Sequence, residues 1–385
     1  MQLSRDRRKR ASAKVALTCL IAVMITVAAV TPILFLPKPS SASAYQSHVL
    51  SGKGNYLDPS VSPSGSLIAF ASNRTGSYQI WLVNTKGSTV TRLTDSDGAK
   101  SDPQWSPAGN MIAFLSASSS LTSLWTINTD GSELAMVSLM GQSVQDFAWN
   151  PSTGMLAYDS YANGKWTISM AKIGLTPIQQ TNDSSNSMYP SWNPNGKYLV
   201  YSSDRNGNFD IFVQNIATGA ESMVTMSQGD NLAPRFSPNG EQLLFMSNRT
   251  GVWSIWTQDV NGSAPVNLLD QSQEFRLPPW SPVVDLFANA QWSPNGLSVL
   301  FVSSVVSGIQ DAFVIQPNAL VPVDELGDIG LGLIQTRISE NLTGANSACW
   351  LPNGQGVVLT WNQGSDQGIW IVGFSPVTYS NPYGK

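Results

Sequence analysis

Short apolar runs alternate with turn-forming residues along most of the chain, and one such unit recurs. Its clearest copy is residues 189–203, YPSWNPNGKYLVYSS. The apolar segment that ends at Trp192 is typical of a buried strand. Pro194, Asn195 and Gly196 favour a tight turn, because proline fixes φ while asparagine and glycine tolerate a positive φ. The aromatic and β-branched run at 198–201 suits a second strand, so the unit predicts a hairpin.

The hairpin occurs seven times, and each copy has an anchor residue at the end of its first strand. These anchors are Val61, Trp105, Trp149, Trp192, Phe236, Trp292 and Trp350. Successive anchors are 44, 44, 43, 44, 56 and 58 residues apart. A period near 44 residues is the length of one four-stranded propeller blade, and single blades must pack on one another to bury their faces. The sequence therefore predicts an all-β fold, a seven-bladed β-propeller.

Two features concern the ends of the ring. The strand predicted at Tyr45–Ser51 precedes the first hairpin and has no blade of its own, while the last blade has no clear fourth strand after Ile369–Val372. The N-terminal strand is therefore expected to complete the last blade, which would leave no long open edge.

Two inserts lengthen blade six. Residues 270–288 extend the connection into the blade, and residues 317–335 extend the connection from its third to its fourth strand. Trp280 in the first insert also lies 44 residues after Phe236. We prefer Trp292 as the anchor, because Asn295-Gly296 and a second strand follow it directly.

The N-terminal segment has a different character from the repeats. Six basic residues precede Val15–Leu36, a run of 22 uncharged residues. Such a run is long enough to cross a bilayer as a helix with the basic cluster on the cytoplasmic side. Ala42-Ser43-Ala44 also matches a signal-peptide cleavage pattern, although the run exceeds the usual core of about 7–15 residues. We therefore expect a single-pass membrane anchor, or alternatively secretion after cleavage behind Ala44.

These patterns divide the chain into residues 1–44 (basic stretch, hydrophobic helix and linker), a propeller at 45–374 and a tail at 375–385. Beyond residue 44 there are 14 basic and 24 acidic residues, a net charge of −10. This balance argues against a nucleic-acid partner, because phosphate binding needs a basic surface. It permits a cationic peptide or a metal ion. Cys19 and Cys349 cannot form a disulfide within the propeller, because Cys19 lies in the hydrophobic run.

Two stretches carry a family resemblance: PSWNPNGKYLVYSSDRNGNFDIFVQ and APRFSPNGEQLLFMSNRTGVWSIWTQ. They resemble the WD-repeat-like blades of the TolB family, which also occur in the propellers of the prolyl oligopeptidase family and of tricorn protease. The resemblance covers about residues 45–374 and implies a propeller scaffold that interacts with a protein or peptide in the cell envelope. TolB resembles a six-bladed ring with a small additional α/β domain, for which this chain has no room between Tyr45 and Asp58.

The catalytic motifs of several enzyme classes are missing from the sequence. There is no G-x-S-x-G elbow, no phosphate-binding G-x-x-x-x-G-K-[ST] loop, and His48 is the only histidine, which disfavours a Ser-His-Asp triad and a zinc site. We therefore expect a monomeric, non-enzymatic binding scaffold that needs no cofactor.

Carboxylates are the remaining candidates for a binding or catalytic role. Asp58, Asp102 and Asp146 each lie three residues before an anchor, near the expected rim of the central channel. Three interpretations stay open. Each aspartate caps its own turn; together they bind a cation such as calcium or a cationic peptide; or a pair of them supports glycoside hydrolysis or lyase chemistry.

Other candidates lie in loops. Arg74, Arg205 and Arg249 recur in Asn/Asp-Arg-x-Gly loops, and this repetition indicates a structural role such as a hydrogen bond to a neighbouring blade. Phe275 and Trp280 belong to an insert rather than to the repeat, so we expect them either to cover the channel or to contact a partner.

Overall fold

The computed structural model describes residues 45–182, 184–226, 229–269, 290–303, 311–322, 329–337, 345–362 and 367–374. The predicted N-terminal helix and the C-terminal tail lie outside these residues, as does the insert with Phe275 and Trp280. The described residues form no helix with the length and hydropathy needed to cross a bilayer.

Within the described part of the chain, 28 strands form seven four-stranded antiparallel sheets. Blade one contains β2 (Tyr56–Val61), β3 (Leu67–Ser72), β4 (Gln79–Asn84) and β5 (Val90–Arg92). Blade two contains β6 (Ala99–Trp105), β7 (Met111–Ser118), β8 (Leu121–Asn128) and β9 (Ala135–Met136). Blade three contains β10 (Ser143–Trp149), β11 (Leu156–Ala162), β12 (Lys165–Ala171) and β13 (Ile178–Gln179). Blade four contains β14 (Ser187–Trp192), β15 (Tyr198–Ser203), β16 (Asp210–Asn215) and β17 (Glu221–Met223).

Blade five contains β18 (Asn231–Phe236), β19 (Gln242–Ser247), β20 (Ser254–Asp259) and β21 (Val266–Asn267). Blade six contains β22 (Gln291–Trp292), β23 (Val299–Ser303), β24 (Asp311–Pro322) and β25 (Ile329–Arg337). Blade seven contains β26 (Ala345–Trp350), β27 (Gly356–Trp361), β28 (Gly368–Gly373) and β1 (Tyr45–Ser51). The predicted seven-bladed, all-β propeller is confirmed.

The recurring hairpin forms as its residues predict. In blade four, Trp192 pairs with Leu199, and the Gly196 N–H donates to Asn193 O over 2.9 Å. Gly196 has a φ of 71°, which glycine adopts without a steric penalty. The second strand, β15, is buried at every position after its first residue. It lacks the polar face of a half-exposed strand because another blade packs on each side of it.

Hydrophobic clusters join neighbouring blades. The cluster between blades three and four contains Ala157, Ile168 and Met170 from one blade and Trp192, Leu199, Tyr201 and Phe212 from the next. Four anchor tryptophans add a hydrogen bond from the indole N–H to the residue just before the preceding anchor. These bonds join Trp105 Nε1 to Ser60 O (2.9 Å), Trp149 Nε1 to Gln104 O (3.2 Å), Trp192 Nε1 to Ala148 O (3.2 Å) and Trp350 Nε1 to Gln291 O (3.3 Å).

The repeated arginines stack on aromatic rings of their own blades. The guanidinium of Arg205 lies 4.1 Å from the ring centroid of Phe212, and that of Arg249 lies 4.9 Å from the ring of Trp256. Arg74 lies 5.2 Å from the ring of Trp81. Cation–π contact stabilises this arrangement. The expected bond to a neighbouring blade is thus replaced by a contact within the blade.

The ring closes at blade seven, where β1 pairs antiparallel with β28. Val49 is buried in the cluster between blades seven and one. The strand order β1-β28-β27-β26 makes the N-terminal strand the outer strand of the last blade. This is the predicted closure.

Blade six settles the choice of anchor. Trp292 lies in the first strand, β22, and pairs with Val299 of β23. The second insert, residues 317–335, contains more strand than expected. β24 and β25 stay paired out to Pro322 and Ile329, so most of residues 317–335 lengthen the two strands.

Replacing Trp192 tests the packing between blades. Trp192→Ala is expected to lower the free energy of unfolding by about 3–5 kcal/mol, as for other large-to-small core substitutions. Trp192→Phe keeps most of the apolar volume but leaves Ala148 O without its donor, so a loss of about 1–2 kcal/mol is expected. Urea unfolding measures both changes. Lys197→Ala in the exposed turn is the control, expected to change stability by less than about 0.5 kcal/mol; a Trp192→Ala effect as small as this would contradict the packing.

Removing residues 45–51 tests the closure. Burial of one valine side chain stabilises a fold by about 1.5–3 kcal/mol, so loss of Val49 and of the β1 pairing is expected to lower the free energy of unfolding by at least that amount. It also exposes the edge of β28, which favours aggregation. Differential scanning calorimetry and light scattering measure both effects, with Ser47→Ala at an exposed β1 position as the control. A truncated chain that melts at the same temperature and stays monodisperse would refute the closure.

Candidate functional site

The first strand of most blades has an irregularity three residues before its anchor. The pairing register with the second strand shifts there in blades one to five, as in a β-bulge. Asp58, Asp102, Tyr189 and Ala233 occupy this position with φ between 49° and 59°. Few residues other than glycine adopt this left-handed conformation, and aspartate does so more readily than most. The bulge makes these residues part of the channel wall.

The bulges surround a central cavity of about 560 Å³. Asp58, Asp102 and Asp146 all line it, so the structure brings the three predicted aspartates together. We call these three residues the acidic sector. Other lining residues include Gln104, Gln145, Tyr189, Arg235 and Gln291. The other two predicted site residues, Phe275 and Trp280, lie outside the described residues.

Asp58 connects blades one and two. Its Oδ2 accepts a hydrogen bond from the backbone N–H of Asp102 over 3.1 Å. The backbone N–H of Asp58 in turn donates to Ser347 Oγ of blade seven over 2.9 Å. The expectation that each aspartate caps its own turn is therefore wrong for Asp58, which caps the bulge of the next blade. Asp146 does cap locally, since its Oδ1 accepts from the Phe147 N–H over 2.8 Å.

A fourth carboxylate, Asp159, was missed by the sequence analysis. It is fully buried in β11, and it accepts bonds from the backbone N–H groups of Gln145 (3.0 Å), Asp146 (2.7 Å) and Tyr189 (3.0 Å). It thus supports the bulges of blades three and four. A charged residue in the middle of a predicted second strand was the available signal, because buried charges occur where they have partners.

Arg235 brings a positive charge into the cavity from blade five. Its Nη2 lies 2.8 Å from Asp146 Oδ2, two blades away. Gln104 Nε2 donates to Asp102 Oδ2 over 3.1 Å. Among the described residues, neither Asp58 nor Asp102 has a lysine or arginine nitrogen within 4.0 Å. Within the acidic sector, the ion pair among the described residues is therefore formed by Asp146.

Burial and mutual repulsion govern the ionisation of these groups. Burial, reinforced by the charges of Asp58 and Asp146, raises the pKa of Asp102 to about 7. Burial also raises the pKa of Asp58, despite its hydrogen bond from the Asp102 backbone. The pKa of Asp159 is likewise raised, mainly by burial and then by Asp146. A cation in the cavity would favour the charged forms.

The cavity lining combines carboxyl groups with neutral polar groups. In the part of the chain that the structure describes, no group of three or more His, Cys, Asp or Glu side chains is placed to hold a metal. The amide groups of Gln104 and Gln145 and the hydroxyl of Tyr189 provide further hydrogen-bonding partners in the same cavity. A lysine or arginine side chain could use both the charge and these polar groups.

The chain matches one known family of propeller domains. The sequence profile of the TolB beta propeller domain matches residues 36–209 and 180–310. An uncharacterized protein of Agrobacterium fabrum is 44% identical over 54 residues, which cover 14% of this chain and 18% of that relative. The match to this curated relative therefore spans about a fifth of its length.

Two solved structures are similar to this chain. TolB from Acinetobacter baumannii is similar with 18% identity and a TM-score of 0.48, covering 72% of this chain and 62% of that one. An oligogalacturonate lyase in complex with manganese is similar with 10% identity and a TM-score of 0.60, covering 87% and 94% of the two chains. At such low identity the second likeness shows a shared fold and nothing about chemistry.

The raised pKa of Asp102 predicts a specific pH dependence. Because its pKa is higher in the folded protein than the ordinary value near 4, the folded chain keeps a proton that the unfolded chain releases. The stabilisation from this proton is complete below about pH 4 and is lost as the pH rises to about 7. Asp102→Asn mimics the neutral carboxyl group, so its melting temperature should exceed that of the unmodified protein at pH 8 and match it at pH 4.

The measurement is the melting temperature of both proteins at pH 4, 6 and 8. Glu133→Gln is the control, because Glu133 is exposed in a loop. It is expected to change stability by less than about 0.5 kcal/mol, as exposed substitutions usually do. A pH-independent difference for Asp102→Asn would contradict the raised pKa.

Proposed function

The chain belongs to the TolB beta propeller domain family, and from this premise we propose that it is a non-catalytic scaffold that binds a protein or peptide partner in the cell envelope through its acidic sector. The observation that carries the proposal is the convergence of Asp58 and Asp102, without a cationic partner among the described residues, on one cavity. A propeller of this family provides the rigid frame, and the channel provides the specificity.

Electrostatics support a positively charged partner. Among the described residues, the only ion pair of the acidic sector joins Arg235 to Asp146, so its three carboxyl groups outnumber the basic groups paired with them. The chain beyond residue 44 has a net charge of −10, and such a charge accelerates the approach of a cationic partner. The same charge disfavours nucleic acid. No cofactor is required for binding of this kind.

The envelope location rests on the N-terminal sequence. The basic cluster and the uncharged run Val15–Leu36 support a location of the propeller outside the cytoplasm, whether the segment stays as a single-pass anchor or is removed behind Ala44. In this proposal residues 1–44 export or tether a monomeric propeller at 45–374, followed by the tail at 375–385. The partner is then a component of the envelope, reached by diffusion from the membrane surface.

A second candidate function is carboxylate-based cleavage of a glycan. The observation that favours it is the pKa of about 7 for Asp102, next to a second carboxylate in a cavity. A carboxyl group with this pKa can act as a general acid or base near neutral pH. Incubation with polygalacturonate, with and without Mn²⁺, tests this function. Product formation that Asp102→Asn abolishes would favour it over the scaffold.

Binding experiments test the scaffold directly. The full chain, kept in solution with a mild detergent, is used as bait for envelope fractions, and the affinity of the captured protein or peptide is then measured. Asp58→Asn/Asp102→Asn is expected to weaken binding about tenfold at low salt, about 1.4 kcal/mol, and less at high salt, because salt screens the attraction between the channel and an approaching cationic partner. Asp130→Asn, in an exposed loop of blade two, is the matched control and should bind as the unmodified chain does.

Two results would overturn this assignment. Equal affinity of the double variant and the unmodified chain at both salt concentrations would remove the acidic sector from the binding surface. A thermal shift caused by calcium, lost only in the double variant, would assign the carboxylates to a metal site instead.

A further inference from the structure

The two sides of the central cavity differ in their chemistry. Its carboxylates come from blades one to three, whereas the lining from blades five to seven is rich in small and apolar residues. These are Leu232, Ala233, Met246, Ala290, Ala348 and Cys349. We call Leu232, Ala233 and Ala290, which stay partly exposed, the apolar sector. In a ring of seven, blades five and six lie across the axis from blade two, so the apolar sector lies across the channel from Asp102.

The polar side chains on the side of the apolar sector already have partners. Arg235 Nη2 lies 2.8 Å from Asp146 Oδ2. Gln291 Nε2 donates to a backbone carbonyl of blade seven over 3.1 Å. Ser347 Oγ accepts from the Asp58 N–H over 2.9 Å. This side of the cavity therefore offers a ligand mainly apolar contact.

Asp58 and Asp102 keep acceptor atoms for a ligand on the opposite side. Oδ2 of Asp58 accepts from the Asp102 N–H, and Oδ2 of Asp102 accepts from Gln104. Among the described residues, neither Oδ1 atom accepts a hydrogen bond. An ammonium group has three donors for such atoms, and its charge favours the ionised carboxylates.

Tyr189 of blade four supplies a hydrogen-bond donor to the same cavity. Its side chain is only 9% exposed, and its hydroxyl oxygen accepts from Gln145 Nε2 over 2.8 Å. Within the part of the chain that the structure describes, its O–H has no acceptor. Buried hydroxyl groups are usually bonded, so a ligand with a carbonyl oxygen would complete the bonding of Tyr189.

We propose that the cavity binds the N-terminal residue of the partner polypeptide, and that the side chain of this residue is apolar. The proposal rests on the proposed scaffold function and specifies which part of the partner enters the channel. The α-ammonium group binds to Asp58 and Asp102, and the carbonyl oxygen of the same residue accepts from the Tyr189 O–H. Its side chain packs on the apolar sector.

An N-terminal residue matches the cavity better than two other ligands do. Its ammonium group, side chain and carbonyl group all branch from one Cα atom, and the ammonium group is charged at neutral pH because its pKa is near 8. A lysine side chain holds its ammonium group on a four-carbon stem, away from its own carbonyl. A bare metal ion uses neither the donor O–H of Tyr189 nor the apolar sector. The cavity volume of about 560 Å³ is ordinary for a ligand pocket.

Labelled peptides test which groups of the ligand the channel binds. A pentapeptide with an N-terminal leucine and a fluorophore at its C-terminus is titrated with the full chain in mild detergent, and anisotropy gives its dissociation constant. Acetylation of the N-terminus removes the charge and is expected to weaken binding about tenfold or more. A peptide that begins with glycine lacks the apolar side chain and should also bind about tenfold more weakly. An acetylated peptide with a lysine at its second position is the probe for a side-chain ammonium group.

Three variants test the parts of the cavity. Ala233→Tyr fills the apolar sector and is expected to weaken binding of the leucine peptide about tenfold at any salt concentration. Tyrosine fits the backbone there, because Tyr189 has a φ of 59° at the equivalent position of blade four and Ala233 has a φ of 52°. Tyr189→Phe removes the donor and should weaken binding about fivefold. Asp58→Asn/Asp102→Asn is expected to weaken it mainly at low salt.

Matched controls repeat two of these substitutions at exposed positions of blade four. Ala217→Tyr and Tyr198→Phe should leave the affinity within about twofold, because surface changes away from a site have little effect. If circular dichroism shows that Ala233→Tyr unfolds, Ala233→Asn replaces it. Asparagine tolerates a positive φ and places a polar group in the apolar sector.

Failure of this inference and failure of the scaffold function give different results. If the aspartate variant loses the envelope partner but the leucine peptide does not bind, the ligand assigned here is wrong and the scaffold function stands. Equal binding of the free and acetylated leucine peptides, equally tight binding of the acetylated lysine peptide, or unchanged affinity in both Ala233→Tyr and Tyr189→Phe would also overturn the inference. If the aspartate variant binds partner and peptide as the unmodified chain does, both proposals are wrong.

Discussion

The packing of each blade on its neighbour is the constraint on which the structure depends. A blade such as β14–β17 has a second strand that is buried at almost every position, so it has no stable form in isolation. The indole N–H of Trp192 fixes the register of this packing through Ala148 O. Equivalent bonds at other blade junctions explain why tryptophan, rather than another large apolar residue, recurs at the anchors. The period of about 44 residues in the sequence reflects this interface, because each blade contributes one anchor to the packing on its neighbour.

Ring closure places all first strands around one axis, and the bulges determine what faces that axis. A bulge frees a backbone N–H from the strand ladder, and a buried N–H needs an acceptor. Asp58 and Ser347 supply acceptors across blade junctions. Asp159, in the second strand of blade three, supplies an acceptor to the first strand of blade four. Several polar groups around the channel are therefore present because the backbone needs them. The aspartates among these groups can also interact with a ligand in the channel.

The sequence predicts the fold well because the fold depends on local signals. Asn195-Gly196 specifies a turn, and the anchors specify where strands meet, so the number of blades and the closure by β1 could both be read directly. The site was predicted only in part. The period placed Asp58 and Asp102 near the channel, but the partner of each carboxylate depends on the neighbouring blade. Arg235 illustrates the difficulty, because its contact with Asp146 spans 89 residues and no repeat encodes it.

Within the acidic sector, the three aspartates differ in how much of their bonding capacity the fold uses. Asp58 caps a backbone N–H, and Asp146 caps another and pairs with Arg235. Asp102 caps no backbone N–H among the described residues, and its carboxylate accepts from Gln104 alone. Burial and the charges of Asp58 and Asp146 raise its pKa to about 7, because they outweigh the Gln104 hydrogen bond and the charge of Arg235, which lower it. A buried carboxylate that the fold does not need, and whose ionised form burial disfavours, is stabilised by an external cation more than its neighbours are. In the proposed function, Asp102 is therefore the carboxyl group whose ionised form a basic partner would stabilise most.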